Sequence, residues 1–242
     1  MKDKYAVEIK KWDSKCTALS QQLKNKKIDK TYEDVFSFRN NLKPVYEFFN
    51  LKEHEEVVLD YGCGAGWATV FLAQKAKTVY AVDISVESIK ILEHLVEANS
   101  IKNIKTCVCN GELLSFEDNF FDFVFGNAII HHIELEKSLL EVSRVLKKGG
   151  KAAFCEPYAH NLFINLYRYI KHNYIEEFKG TDRPIKNEDK GVFEKYFSKV
   201  DFVPTSLLSD RIEPLLAFDA VMIKTFPFLR KYAGYVTILL EK

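Results

Sequence analysis

Short apolar runs alternate with longer amphipathic stretches through the middle of this 242-residue chain. Runs rich in Val, Ile and Phe predict buried strands, whereas apolar positions three and four residues apart predict helices. The predicted strands are EVVLDYG, TVYAVDI, KTCVCN, FDFVFGN and KAAFCEP, and the predicted helices between them are WATVFLAQKA, SVESIKILEHLVEANS and LEKSLLEVSRVLKKGG. This alternation predicts an α/β fold with a parallel sheet covered by helices on both faces.

Two of the predicted helix ends have their own sequence features. Ser85 precedes the second helix, and its hydroxyl predicts an N-cap because it can accept a hydrogen bond from a free backbone N–H. The third helix is predicted to end in KKGG, since lysines suit the negative end of the helix dipole and glycine suits the C-cap.

The segments outside this alternation predict coverings of a single domain that spans residues 1–242. Residues 1–50 predict an N-terminal helical cap, residues 51–157 a ligand-binding core and residues 158–198 an aromatic-rich lid insertion. Residues 199–242 predict two closing strands, KVDFVPTSLL and GYVTILLEK, with an apolar helical insert between them. The predicted sheet therefore has seven strands.

Composition argues against several kinds of partner. The 35 basic residues nearly balance the 34 acidic ones, so the basic excess of a nucleic-acid-binding protein is missing and no nucleic acid is expected. The five cysteines lack paired metal-ligand spacing, so we expect free thiols and no metal. We see neither a leader sequence nor an apolar run of about 18 residues, so we expect a cytoplasmic protein without membrane insertion.

The stretch LDYGCGAGW, residues 59–67, places three glycines directly behind the first strand. At the carboxyl ends of parallel strands such a turn brings backbone close to a ligand. A dinucleotide fingerprint needs glycine where Trp67 stands, and no Gly-Lys-Ser/Thr run follows, so pyrophosphate and P-loop sites fit poorly. Asp60 adds negative charge just before the turn. The loop therefore predicts a binding site for a ligand that needs close backbone contact and carries positive charge.

Asp83 ends the second predicted strand and is the next candidate ligand-binding residue. An acidic side chain at this place can accept hydrogen bonds from both hydroxyls of a ribose. Ile84 follows it and is placed to lie against a purine face. Asp83 could instead cap the following helix, and the two roles are compatible.

Four ordered segments, LDYGCGAGW, YAVDIS, NGELLSFEDNFFDFVFGNAIIHH and RVLKKGGKAAFCEP, together resemble the class I S-adenosylmethionine-dependent methyltransferases. The resemblance implies a Rossmann-like fold with a mostly parallel seven-stranded sheet and helical cap insertions. It also implies S-adenosyl-L-methionine as cofactor and S-adenosyl-L-homocysteine as product. The cofactor-binding residues that follow from it, together with the residues above, are Asp60, Tyr61, Gly62, Cys63, Gly64, Gly66, Asp83, Ile84, Asn110, Gly111, Glu112 and Asn127.

One of these positions departs from the family pattern. Asn110 stands at the third strand end, where the family usually carries an aspartate for the adenine amino group. The amide oxygen of asparagine can still accept a hydrogen bond, and Gly111 or Glu112 is the alternative contact.

Candidate catalytic residues follow the fourth and fifth strands. Methyl transfer is an in-line displacement that sometimes requires removal of a proton from the acceptor, and imidazole takes up protons near neutral pH. Adjacent side chains point in different directions, so we expect one histidine at the chemistry, His131, with His132 behind it. Glu156 is predicted either to orient the substrate or to partner a histidine.

The sequence therefore predicts an enzyme that methylates an oxygen or nitrogen of a small, apolar or ring-bearing molecule. Aromatic inserts favour such a substrate, and the fourth strand end, GNAI, lacks the Asn/Asp-Pro-Pro-aromatic motif of nucleobase amino-group methylases. Three alternatives stay open: an RNA or protein methyltransferase, a nicotinamide-dependent oxidoreductase and a non-catalytic cofactor-binding regulator. We expect a monomer or a homodimer. A further interpretation of the lid segment LFINLYRYIKHNYI is that it lies on a membrane and gives access to a lipid-linked substrate.

Overall fold

A computed structural model describes residues 27–36, 41–159, 183–207 and 213–242, together with positions 6, 9, 10, 13, 14, 161, 166 and 169. Half of the predicted N-terminal cap and nearly half of the predicted lid, including LFINLYRYIKHNYI apart from two positions, lie outside the described residues.

Within the described residues, seven strands form one sheet in the order β3-β2-β1-β4-β5-β7-β6. Strands β1 to β5 are parallel, whereas β7 runs antiparallel between β5 and β6. The strand bounds are β1 Val57–Tyr61, β2 Thr78–Asp83, β3 Ile104–Val108, β4 Phe121–Asn127, β5 Leu146–Pro157, β6 Lys199–Ser206 and β7 Tyr235–Glu241. The predicted seven-stranded, mostly parallel sheet is confirmed.

Helices connect these strands. They are α1 Tyr32–Phe36, α2 Lys43–Phe49, α3 Thr69–Leu72, α4 Val86–Ala98, α5 Leu135–Val145, α6 Lys190–Phe193 and α7 Glu213–Thr225, with 3-10 helices at Asn187–Asp189 and Pro227–Tyr232. The predicted N-cap of α4 is confirmed, since Ser85 Oγ accepts a hydrogen bond from Ser88 N at 3.1 Å.

The predicted end of the third core helix is wrong. Helix α5 ends at Val145, and the KKGG residues belong to β5. The β4–β5 register shifts here. Gly149 has φ +73°, and a Cβ on Gly150 would lie 2.8 Å from the Lys147 carbonyl oxygen. Gly149 and Gly150 therefore lie in an irregular part of β5 where a side chain would not fit. A helix C-cap favours glycine for a similar reason.

The two faces of the central strand β1 are both buried. Val58 lies in a cluster with Leu72 and Phe125 on one face, and Leu59 lies in a cluster with Val124 on the other. A parallel sheet covered in this way leaves its strand ends as the accessible part. Strands β1 and β4 are neighbours, so the strand order reverses at their carboxyl ends, and a crevice for ligands is expected there.

Candidate active site

The candidate residues from the sequence converge on one edge of the sheet. Each of them lies in the last residues of β1, β2, β4 or β5, or in the loop that follows β1, β2, β3 or β4. The side chains of Ile84 and Asn127 are half-buried at this edge. The topology therefore gathers residues that are up to about a hundred positions apart in the chain.

The glycine loop is held between a neighbouring loop and a helix. Gly62, Gly64 and Gly66 all have positive φ, at 72°, 53° and 82°. A Cβ on Gly62 would lie 2.6 Å from Ile129 Cγ1, and a Cβ on Gly66 would lie 2.2 Å from Leu92 Cδ1. Gly66 thus permits the close approach of α4, the task that the third glycine has in a dinucleotide site.

Several backbone amides of this loop donate hydrogen bonds within the protein. The N–H groups of Gly62 and Cys63 both donate to the Val82 carbonyl at 2.9 Å, and Gly64 N donates to Asp83 Oδ2 at 2.9 Å. A phosphate cradle needs such amides turned toward the ligand. The loop therefore suits a ligand that brings its own hydrogen-bond donors or positive charge.

Asp60 lies beneath the loop and is 2% exposed. Burial raises the pKa of its carboxyl to about 7, against the effect of a hydrogen bond from Thr69, and the nearby Asp83 raises it further. Thr69 Oγ1 donates to Asp60 Oδ2 at 2.5 Å. At neutral pH Asp60 carries only part of the negative charge that the sequence predicts, and a bound cation would favour its ionised form.

Asp83 links the glycine loop to the start of α4. Its Oδ2 accepts from Gly64 N, and its Oδ1 accepts from Ser85 N at 2.8 Å. Burial raises the pKa of this carboxyl, while the backbone hydrogen bonds oppose the shift. Each carboxylate oxygen has a second lone pair, so these contacts leave capacity for ribose hydroxyls.

One residue at this strand end was missed by sequence reasoning. Ser85 Oγ donates to Asp13 Oδ1 at 2.5 Å, so the N-terminal segment reaches the candidate nucleoside site. No motif distinguishes Asp13 from the other charged residues of its segment, and the chain distance to Ser85 hides the contact.

The turn after β3 is fixed by internal hydrogen bonds. Asn110 Oδ1 accepts from Glu112 N at 2.9 Å, which is an Asx turn. Tyr61 Oη donates to the Gly111 carbonyl at 2.7 Å, and Glu112 Oε1 accepts from Glu134 N at 2.8 Å. The Tyr61 side chain thus joins the first and third strand ends.

A buried His131–Glu156 pair lies at the ends of β4 and β5. Glu156 is fully buried, and its Oε1 accepts from the amides of Ile129 and Ile130 at 2.9 and 3.1 Å. Its Oε2 lies 2.5 Å from His131 Nδ1. An ionised carboxylate only accepts, so Nδ1 carries the hydrogen of this contact, and Nε2 is the acceptor nitrogen whenever the imidazole is neutral. Of the two roles predicted for Glu156, the geometry gives the histidine partner.

The loop that carries the histidines contacts the glycine loop directly. A Cβ on Gly126 would lie 2.9 Å from Ile129 Cγ2, so the Ile129 side chain packs over both Gly62 and Gly126. The His132 ring lies 3.9 Å from the His131 ring, centroid to centroid, at an interplanar angle of 41°. The imidazole pair is therefore positioned by packing as well as by hydrogen bonds.

A segment of the predicted lid returns to this pair. Arg183 N donates to the His131 carbonyl at 3.1 Å, and the Arg183 guanidinium pairs with Asp189 Oδ1 at 2.6 Å. The Tyr158 hydroxyl also bonds to the side chain of Asn187. Arg183 is not predictable as a site residue from the sequence, because nothing in its local pattern indicates a contact with His131.

Comparison with known proteins identifies the family. A family model described as a methyltransferase domain matches residues 59–154, from β1 into β5. A demethylmenaquinone methyltransferase of Geobacillus kaustophilus is 30% identical over 159 residues, which are 59% of this chain and 68% of that protein. The chain belongs to the class I S-adenosylmethionine-dependent methyltransferases.

Two further methyltransferases are similar to this chain, one in sequence and one in fold. The ubiquinone/menaquinone biosynthesis C-methyltransferase of Zymomonas mobilis is 35% identical over 119 residues, 47% of this chain and 48% of that protein. Phosphoethanolamine N-methyltransferase 2 of Haemonchus contortus, solved with S-adenosyl-L-methionine, matches with a TM-score of 0.62 at 19% identity, over 84% of this chain and 52% of that one. The predictions of fold, enzyme class and cofactor are confirmed.

The residues of the site fit this cofactor. S-adenosylmethionine brings an ammonium, a sulfonium and ribose hydroxyls, and the glycine loop offers acidic groups while its amides bind internally. Across the part of the chain that the structure describes, no group of three potential ligands is placed to hold a metal ion. In the same residues, no helix has the length and apolar character needed to cross a membrane.

Proposed function

We propose that this methyltransferase acts on an oxygen or nitrogen of a small, apolar or ring-bearing molecule, with His131 as general base. The observation that carries the proposal is the 2.5 Å contact between His131 Nδ1 and Glu156 Oε2. This contact keeps a hydrogen on Nδ1. In the neutral imidazole Nε2 is therefore the nitrogen that can take a proton. A regulator that only binds the cofactor has no need of such a pair.

In this proposal the glycine loop and the neighbouring strand ends hold the cofactor. Asp83 would accept hydrogen bonds from the ribose hydroxyls, and the loop carbonyls with Asp60 would hold the positively charged part. Ile84 would contact the purine, together with the turn at Asn110 to Glu112. Asn127 would contact the methionine moiety. The bound cofactor supplies a methyl group already activated on sulfur.

The protein's part in the reaction is positioning and proton removal. The contact of Ile129 with Gly62 and Gly126 sets the histidine loop beside the glycine loop. An acceptor held between them would face the methyl group in line, and such positioning contributes several kcal/mol to the rate. The bound cofactor would supply the methyl group to the acceptor atom, and His131 Nε2 would take the proton that this atom loses.

A ring carbon is the second candidate acceptor. The Zymomonas mobilis relative is named a C-methyltransferase, and the Geobacillus relative is named for demethylmenaquinone. Methylation of a carbon beside a ring hydroxyl also benefits from a base that removes the hydroxyl proton. His131 would therefore serve either acceptor.

We also propose a single domain over residues 1–242, with residues 158–198 as a lid over the substrate. The hydrogen bond from Arg183 to the His131 carbonyl supports the lid. A monomer or homodimer remains our expectation for the assembly.

A product-identifying screen tests this function. Protein stripped of carried-over cofactor is mixed with S-adenosylmethionine and with separate panels of phenols, quinols, amines, RNA and protein. S-adenosylhomocysteine release and mass spectrometry then report the acceptor and its methylated atom. We expect products from small ring-bearing molecules, and methylation confined to RNA or protein would contradict the proposal.

The variant His131→Ala tests the general base in the same assay. Turnover should fall by roughly 10²-fold or more, the usual contribution of a general base, while S-adenosylhomocysteine affinity stays close to that of the unmodified protein. An equal loss of both would assign His131 a structural role.

A further inference from the structure

An exposed apolar surface lies on α7 and on the 3-10 helix that follows it. Val221 on α7 and Phe228 on the 3-10 helix are each 62% exposed. We call this the α7 surface, and its other exposed apolar members are Phe218, Phe226 and Tyr232. Large apolar side chains clustered at the surface mark a place where something else binds.

The opposite side of α7 is already packed against the protein. Ile223 is buried, and the buried Asp219 accepts a hydrogen bond from Leu207 N at 2.9 Å. The orientation of the helix is therefore fixed, with Phe218 and Val221 turned outward. A helix that is apolar on both sides is normally buried on both sides. We therefore expect another molecule to cover the exposed face of α7.

The charges of this segment are segregated. Between Phe218 and Tyr232 the charged residues are Asp219, Lys224, Arg230 and Lys231. The acidic Asp219 is buried, whereas the three basic residues are exposed, like the aromatic residues of the same segment. Lys231 Nζ lies 4.9 Å from the centre of the Tyr232 ring. The α7 surface thus combines exposed apolar side chains with exposed basic ones and no exposed acidic one between Phe218 and Tyr232.

We propose that the α7 surface docks on an anionic lipid bilayer. Aromatic side chains that enter the acyl boundary, with cations at the level of anionic headgroups, are the features of a peripheral membrane contact. A second copy of the chain fits less well. In a two-fold symmetric dimer each surface meets its own image, and the basic residues would be brought close to their counterparts.

This surface is attached to the edge that carries the active site. Gly234 follows the 3-10 helix, its N–H donates to the Ser206 carbonyl, and its carbonyl accepts from Tyr158 N at 2.8 Å. Glu156 pairs with Val236 in the adjoining strand. Docking would therefore hold the end of β5 near the bilayer, whatever the acceptor of the methyl group is.

Vesicle flotation tests the proposal with the full-length protein. One set of vesicles is phosphatidylcholine alone, and the other contains equal parts of phosphatidylcholine and phosphatidylglycerol. We expect binding to the anionic vesicles to be at least about tenfold stronger, because each cation near such a surface contributes measurably, and to weaken as salt is added. Equal binding to both sets, or to neither, would overturn the proposal.

Variants separate the apolar from the electrostatic contribution. Phe226→Ser with Phe228→Ser removes the exposed rings, and Lys224→Glu with Lys231→Glu reverses two charges. Each pair should lower binding to anionic vesicles by roughly tenfold. Leu140→Ser on α5, at a side chain that is also exposed, is the matched control and should bind as the unmodified protein does.

Two further measurements distinguish loss of membrane binding from misfolding and from a change of oligomeric state. Circular dichroism and S-adenosylhomocysteine binding show that each variant is folded. Light scattering without vesicles reports the oligomeric state. If the ring variant instead dissociates a dimer and vesicle binding is unchanged, the α7 surface is a subunit interface and the membrane proposal is wrong.

Discussion

Replacing Glu156 with glutamine tests how the buried carboxylate controls His131. Glutamine keeps the shape, and its carbonyl oxygen can still accept the amides of Ile129 and Ile130. Its NH₂ group would then face His131 Nδ1, which must accept and so carries no hydrogen. The imidazole is driven to the other tautomer, with hydrogen on Nε2, and cannot take a proton from the acceptor.

The expected losses of turnover and of unfolding free energy follow from the loss of the general base and of the charged hydrogen bonds to Glu156. Turnover should fall by about 10²- to 10⁴-fold, the range that a positioned general base contributes. Three hydrogen bonds to the carboxylate become neutral ones. At about 1 kcal/mol each, the free energy of unfolding should fall by up to about 3 kcal/mol. The affinity for S-adenosylhomocysteine should change little, because these contacts are on the histidine side of the site.

The assay combines three measurements on each variant. They are the initial rate of S-adenosylhomocysteine release, the calorimetric affinity for S-adenosylhomocysteine and the free energy of unfolding in denaturant. Glu134→Gln is the matched control, since Glu134 is an exposed carboxylate on the same loop as His131, and it should leave turnover unchanged. Unchanged turnover of Glu156→Gln, in protein that is less stable but folded, would refute the general-base reasoning.

Two substitutions in and under the glycine loop test its structure. Gly66→Ala places Cβ 2.2 Å from Leu92 Cδ1, whereas at Gly64 a Cβ would meet no atom within 4 Å. Gly64→Ala should therefore lower the free energy of unfolding only by its backbone strain, about 1–2 kcal/mol, and Gly66→Ala should lower it clearly more. Equal losses in denaturant unfolding would contradict the close approach of α4. Asp60 has a folded pKa of about 7 against an ordinary value of 3.8. Its contribution to stability is therefore fully present below about pH 4 and is lost as pH rises through about 7. Asp60→Asn should flatten the pH dependence of the melting temperature across that range, and an unchanged slope would place the pKa elsewhere.

The parts that the sequence could predict depend on local patterns. The order of strands and helices follows from apolar periodicity, and the strand ends of a parallel sheet then bring the candidate residues to one edge. The tight glycine loop was predictable for a similar reason, because three closely spaced glycines directly after a strand indicate backbone that approaches a neighbour or a ligand closely. Ser85 was identifiable as an N-cap from its place just before an amphipathic stretch.

The parts that failed or stayed open depend on distant contacts. The KKGG segment was assigned to a helix end because glycine suits both a cap and an irregular strand, and the pairing of β5 with β4 decides between them. Glu156 had two candidate roles until its contact with His131 was seen, 25 positions away. The charge on Asp60 depends on burial, which no residue pattern states.

The central claim is that the glycine loop and Asp83 hold the nucleoside of S-adenosylmethionine. Calorimetry with S-adenosylhomocysteine on folded, cofactor-free protein tests it most directly, with Asp83→Ala beside the control Glu87→Ala, whose half-buried carboxylate pairs with Lys90. We expect one binding site in the unmodified protein and in the control. The Asp83 variant should bind about 1–3 kcal/mol more weakly, which is roughly 5- to 150-fold. No binding by the unmodified protein, or equal affinity in the Asp83 variant, would contradict the assignment.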